Sequence, residues 1–151
     1  MVRNRAVGIV IHENKLLVMF RKNDRGEYYV FPGGGVDPGE TNEQATIREL
    51  DEETSVEVKT ERLVYTLHHD NGDTHYFFLC SYISGTPLIR EGTNEYEDNS
   101  RGNDYYEPRW LAIEDINKDA PLYPPEATEQ FLHDIKNGFS DEVISLQSTS
   151  R

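Results

Sequence analysis

Glu49, Glu52 and Glu53 stand at i, i+3 and i+4, which on an α-helix gathers their carboxylates within an arc of roughly 100°. Left alone, such a face is unfavourable. Like charges at these spacings cost roughly 0.2–0.5 kcal/mol per pair, and acids in a last helical turn oppose the helix dipole by roughly 0.3–1 kcal/mol each. Arg48, four residues before Glu52, offsets one contact but does not neutralise the group. A divalent cation would, because oxygen ligands converging from a helix face and completed by a backbone carbonyl are what Mg²⁺ or Mn²⁺ coordinates. The competing reading of the same spacing is a solvated acidic face that holds nothing.

The segment in front of the carboxylates favours the first reading. Pro32 is followed by Gly33, Gly34 and Gly35, and without β-carbons their carbonyls and amides can approach a metal and bound phosphates closely. Thr41 then opens the helix, with Gln44 completing a capping box and Glu43 well placed in the first turn. Ile47, Leu50 and Thr54 fall opposite the carboxylates and are expected to anchor the helix. Ala45, one turn before Glu49, is expected to keep the acidic face uncrowded.

From Gly34 onward the chain meets the pattern G-x5-E-x7-R-E-U-x-E-E-x-G-U, with U a bulky aliphatic residue, at Gly34, Glu40, Arg48, Glu49, Leu50, Glu52, Glu53 and Val56. Over residues 34–56 it resembles the Nudix box of the Nudix hydrolases, departing only at the final glycine, which is Ser55. The resemblance implies an α/β (α+β) fold, an α/β/α sandwich with a mixed sheet between helices. It implies hydrolysis of a phosphoanhydride in a nucleoside diphosphate linked to another moiety (a nucleoside triphosphate, nucleotide sugar or related nucleotide) with Mg²⁺ or Mn²⁺ as cofactor. Carried over by position, Glu49, Glu52 and Glu53 would bind metal, joined by the Gly33 carbonyl, and Gly34 and Gly35 would meet the substrate. Arg48 would orient the acids and complete the catalytic set, and Glu40 would brace the loop. The general base would be Glu49 or a carboxylate from a later loop, for which the candidates are Glu95, Glu97 and Glu107. Ser55, just past the helix end, is expected at positive φ, where serine costs about 1 kcal/mol relative to glycine.

Around this segment, apolar runs at 6–11 and 16–20 read as a buried hairpin covered on both faces. Strands at 63–67 and 76–83 flank the Asn71-Gly72 turn, and another follows the long polar connection that begins at residue 90. A second helix follows Pro124 and Pro125, with Thr128, Phe131, Leu132 and Ile135 on its inner face and Gly138 as its stop. A single domain is expected over 1–139, with 140–151 a poorly ordered tail.

Arg21, ending the second apolar run, suits a phosphate contact. Tyr28, Tyr29 and Tyr106 could stack on a base, although aromatic residues in strands more often pack. Trp110 reads as core. His68, His69, Asp70 and His75 surround the Asn-Gly turn and read as a hairpin tip rather than a zinc site.

The net charge of −13 over 151 residues weighs against a nucleic-acid polymer as partner, and none is expected, since displacing phosphate counterions takes clustered Lys and Arg. It leaves a small nucleotide whose charge a bound cation neutralises. The lone Cys80 reads as a small buried hydrophobe. No apolar run is long enough to span a membrane and the opening residues lack the grammar of a secretory leader, so a cytoplasmic protein is expected. The assembly state is left open, a homodimer included. Two other functions compete: a non-catalytic nucleotide sensor on the same fold, which an intact set of carboxylates disfavours, and a calcium module, whose D-x-[DN]-x-[DN]-G loop is not found.

Overall fold

The computed structural model describes residues 3–89 and 104–149. The two apolar runs form strands β1 (Asn4–His12) and β2 (Lys15–Asn23), joined at Glu13 and Asn14, both at positive φ. They pair antiparallel at Ile11 with Leu16 and His12 with Lys15, and then diverge to make other partners. On one side, β1 lies between the short β4 (Gly33–Gly35) and β6 (Thr74–Ser84), to which it runs parallel. On the other, β2 lies between β3 (Gly26–Val30) and β7 (Tyr105–Ala112). With β5 (Glu57–His68), β8 (Leu122–Tyr123) and β9 (Ile144–Gln147) added, the main path reads β8-β3-β2-β1-β6-β5-β9.

Helices α1 (Asn42–Thr54) and α2 (Pro125–Asn137) cover opposite faces of this mixed sheet, as the sandwich expectation requires. Alternation along β1 shows why its sequence is apolar throughout: Val7 and Ile9 join the core containing Ala127 and Phe131 of α2, while Val10 joins the core containing Leu50 of α1. Among the described residues, no helix is long and apolar enough to cross a membrane.

Three expectations need correction. Ile47 is 39% exposed, while Leu50 and Thr54 are buried as expected and are joined by Ala45 and Thr46; the buried arc is rotated toward the carboxylates, so Ala45 is core rather than a spacer. On α2, Ile135 is 37% exposed while Asp134 is buried. The Asp134 carboxylate is satisfied there by the Tyr65 hydroxyl at 2.6 Å and the Gln130 amide at 3.1 Å, which is how a charge takes an apolar position. Finally, the tail is not structureless: Ile144–Gln147 pairs parallel with Tyr65–His68, and Ile144 and Leu146 pack on the core. A strand of this length is too short for alternation to register in sequence.

Burial first, and the Asp134 carboxylate second, push the Tyr65 hydroxyl well above the usual tyrosine range. Tyr65→Phe removes the donor and leaves a buried carboxylate short of a partner, so a loss of about 1–3 kcal/mol in urea denaturation is expected.

The Asn71-Gly72 turn forms as anticipated, with the Gly72 amide donating to the His69 carbonyl at 3.0 Å. Beyond it, the His69 and His75 rings lie 4.3 Å apart. Burial, then the charges of His69 and Arg5, hold His75 down to about 4 from an ordinary 6.5. A histidine depressed in the folded state contributes stability that is complete above its unfolded value and lost as pH falls through its folded value. The melting temperature should therefore fall between pH 6.5 and 4, and His75→Gln should flatten that part of the profile in a thermal melt series.

Candidate active site

The site is built where α1 crosses the glycine strand β4. The capping box forms as the sequence indicates, with Thr41 Oγ1 accepting from the Gln44 amide at 3.1 Å and Gln44 Oε1 accepting from the Thr41 amide at 2.9 Å. At the other end Ser55 stands in the left-handed region at φ 63°, and its hydroxyl donates to the Leu88 carbonyl at 2.7 Å. The helix is thus held at both ends, with its inner face over residues 33–35.

Because the buried arc includes Glu49 and Glu53, both carboxylates look inward. Gly34 makes room for the Glu49 carboxylate, which occupies the space a β-carbon would fill. Glu53 accepts from the Gly33 amide at 3.3 Å. Both acids line one cavity of about 230 Å³ together with Arg5, Arg21, Gly33 and Gly34. Glu52 lies at the edge of the arc; its side chain is 50% exposed against 15% for Glu49, and it does not line the cavity.

Arg48 binds more than the single contact anticipated from its spacing. Its Nε donates to Glu40 at 2.7 Å, and one terminal nitrogen reaches both Glu49 at 2.8 Å and Glu52 at 3.1 Å. The other terminal nitrogen donates to the Gly35 carbonyl and again to Glu40, each at 3.0 Å. Glu40 in turn accepts from the Asp37 amide at 2.9 Å, so it fastens the turn after β4 to the helix. The Arg48 hydrogen bond, followed by that from Asp37, holds the Glu40 carboxyl down to about 2. Glu49 moves the other way: burial outweighs its hydrogen bond to Arg48 and raises its pKa above the ordinary carboxylate value.

Among the described residues, no three His, Cys, Asp or Glu side chains gather closely enough to hold a metal by themselves, the histidines of the β5–β6 hairpin included. What is present is a hard-oxygen donor set, Glu49 and Glu53 beside the backbone of Gly33 and Gly34, with Glu52 held aside by Arg48.

Of the later candidates, Glu107 is turned away. It pairs across from Phe20, so it lies on the face of the sheet opposite its neighbour Tyr106, which lines the cavity. Its carboxylate is engaged by the Tyr105 hydroxyl at 2.7 Å and by the Arg109 guanidinium. Glu95 and Glu97 lie outside the described residues. Arg21 lines the cavity wall, with its guanidinium 4.4 Å from the Tyr106 ring centroid and donating to that hydroxyl at 2.7 Å. Tyr29 packs against Phe20.

Arg5 was not foreseen. It stands across from Gly35 in the β1–β4 pairing, lines the cavity and donates to the Gly33 carbonyl at 3.3 Å. A cation one residue before an apolar run reads as an ordinary strand end, and only the pairing of β1 with the glycine strand brings it here.

The chain is similar to known proteins in sequence and in fold. The family model described as NUDIX domain matches residues 2–132. An 8-oxo-dGTP diphosphatase of Escherichia coli is 34% identical over 93 residues, covering 58% of this chain and 72% of that protein. An RNA pyrophosphohydrolase of Vibrio atlanticus is 44% identical over 63 residues, covering 42% of this chain and 37% of that protein. Among solved structures, the crystal structure of a NUDIX hydrolase from Nitrosomonas europaea superposes with a TM-score of 0.74 over 96% of this chain and 78% of that one, at 15% identity.

Proposed function

The chain belongs to the NUDIX family, whose relatives are named as diphosphatases and pyrophosphohydrolases, and from that premise we propose that it hydrolyses a nucleoside diphosphate linked to another moiety, with Mg²⁺ or Mn²⁺ as the working cation. The observation that carries the reading is the convergence of Glu49 and Glu53 on the glycine backbone in a cavity flanked by two arginines. The carboxylates and backbone carbonyls on its wall make a donor set for a hard divalent cation.

Glu49, Glu53 and the Gly33 carbonyl would hold the cation, with Glu52 joining from the rim. When bound, the cation neutralises phosphate charge and acidifies a water molecule. The remaining work falls to the chain. Arg5 and Arg21 bracket the diphosphate from the two halves of the sheet, each able to offer parallel N–H groups to phosphate oxygens. Gly34 and Gly35 let the substrate approach the backbone. Arg48 positions the acids, Glu40 fixes Arg48, and Glu49, whose proton affinity burial already raises, accepts the proton of the attacking water.

The test is turnover of a panel of nucleoside triphosphates (8-oxo-dGTP among them), nucleotide sugars, ADP-ribose and dinucleoside polyphosphates with Mg²⁺ or Mn²⁺. Release of a nucleotide product from at least one class is expected. Failure of every class with folded protein would remove the proposal.

A further inference from the structure

A second cavity of about 420 Å³ opens beside the first, lined by Arg21, Asn23, Asp24, Arg25, Tyr28 and Asp104. Arg21 is on the walls of both. Its guanidinium lies 4.4 Å from the Tyr106 ring centroid and 5.6 Å from that of Tyr28. A guanidinium on the shared wall of two cavities suits the phosphate at which a substrate passes from one into the other.

Resting on the hydrolase reading above, we infer that this second cavity is the subsite for a sugar joined through the diphosphate to the nucleoside, making a sugar-linked nucleoside diphosphate the preferred substrate class. Its chemistry distinguishes this occupant from two others. A further phosphate would meet the carboxylates of Asp24 and Asp104, which balance the two arginines and leave no net positive charge to receive it. A nucleobase would find no aliphatic side chain among the described residues of the wall, against the largely apolar lining such rings favour. Vicinal hydroxyls, by contrast, pair with planar carboxylate, amide and guanidinium groups, and a ring such as Tyr28 packs against the C–H face of a sugar. Asn23 is already oriented for this: its Oδ1 accepts from the Arg25 amide at 2.9 Å and its Nδ2 is turned to the Tyr28 hydroxyl at 3.5 Å.

In the reaction, water oxygen bonds to one phosphorus while the bridging P–O bond to that phosphorus breaks and the bridging oxygen stays with the other. A nucleoside monophosphate and a sugar phosphate result, and the protons of water pass to the products or to solvent.

The experiment compares kcat/KM of the full chain with Mg²⁺ for ADP-ribose against ATP and for UDP-glucose against UTP, so that the nucleoside is common to each pair. The sugar-linked member should be favoured by about tenfold or more, and Asn23→Ala with Asp24→Ala should bring the ratio toward one. Triphosphates hydrolysed as well as or better than their partners, or a ratio indifferent to both substitutions, would overturn the assignment and leave the hydrolase reading standing. If no pair turns over, calorimetry still decides the subsite: ADP-ribose binding more tightly than ADP, with the difference lost in the two variants, supports it, and equal binding overturns it.

Discussion

Gly34→Ala is expected to give a folded protein whose kcat/KM is lower by about a hundredfold or more, because displacement of a catalytic group by about 1 Å is worth that much. A β-carbon at position 34 would occupy the space of the Glu49 carboxylate. That carboxylate ends a flexible side chain and can swing away, so the fold survives while the site does not. Its neighbours supply the controls. At Gly33 a β-carbon would overlap the Ala6 carbonyl and stand 2.8 Å from Val7 Cα; backbone does not yield cheaply, and Gly33→Ala should cost roughly 1–3 kcal/mol of stability. At Gly35 no described residue lies within 4 Å of such a β-carbon, and Gly35→Ala should stay within roughly 0.5 kcal/mol. Thermal melts and initial rates on the three variants separate these outcomes. A Gly34→Ala enzyme as active as the parent would show that Glu49 need not stand where the structure places it.

Glu49→Gln should lower turnover by about 10²–10⁴-fold, the range for loss of a positioned general base, while moving stability in the other direction. An acid whose pKa burial has raised contributes stability below its unfolded value and loses it as pH rises through its folded value. At neutral pH without cation, ionised Glu49 is therefore a burden, and the glutamine variant should melt no lower than the parent. Adding Mg²⁺ should raise the melting temperature of the parent and raise that of the variant much less, since the cation relieves a charge the variant lacks. Equal Mg²⁺-dependent shifts in parent and variant would show that Glu49 is not a ligand.

Much of this is legible in the sequence. The capping box, the helix and the left-handed Ser55 are local, set by side-chain chemistry a few residues apart, and they appear where expected. The sandwich was legible because strands covered on both faces must be apolar at consecutive positions. Rotation about the α1 axis was not: spacing alone puts Ile47 beside Leu50, and only packing of Leu50 against a sheet whose Gly8 leaves it room turns Ile47 outward and Glu49 inward. Arg5 and Glu107 follow the same logic. Each depends on which strand lies alongside which, a long-range property, and register decides that Arg5 faces the glycines while Glu107 faces away from them. Asp134 was missed because nothing local to α2 announces a hydroxyl arriving from Tyr65.

The arrangement of β5 bears on how this protein avoids polymerising with its own kind. An outer strand of twelve residues would ordinarily be a template for intermolecular pairing. Its last four, Tyr65–His68, are sealed by β9, and the amide of Ser148 extends the seal to the His68 carbonyl at 2.8 Å. Before them the pairing of β5 with β6 is broken by irregularities at Glu57/Val58, Thr60/Arg62 and Leu63/Tyr65, amid the charges of Lys59, Glu61 and Arg62. The last third of the rim is closed by a strand and the rest is kinked and charged, two separate defences against fibril-like growth.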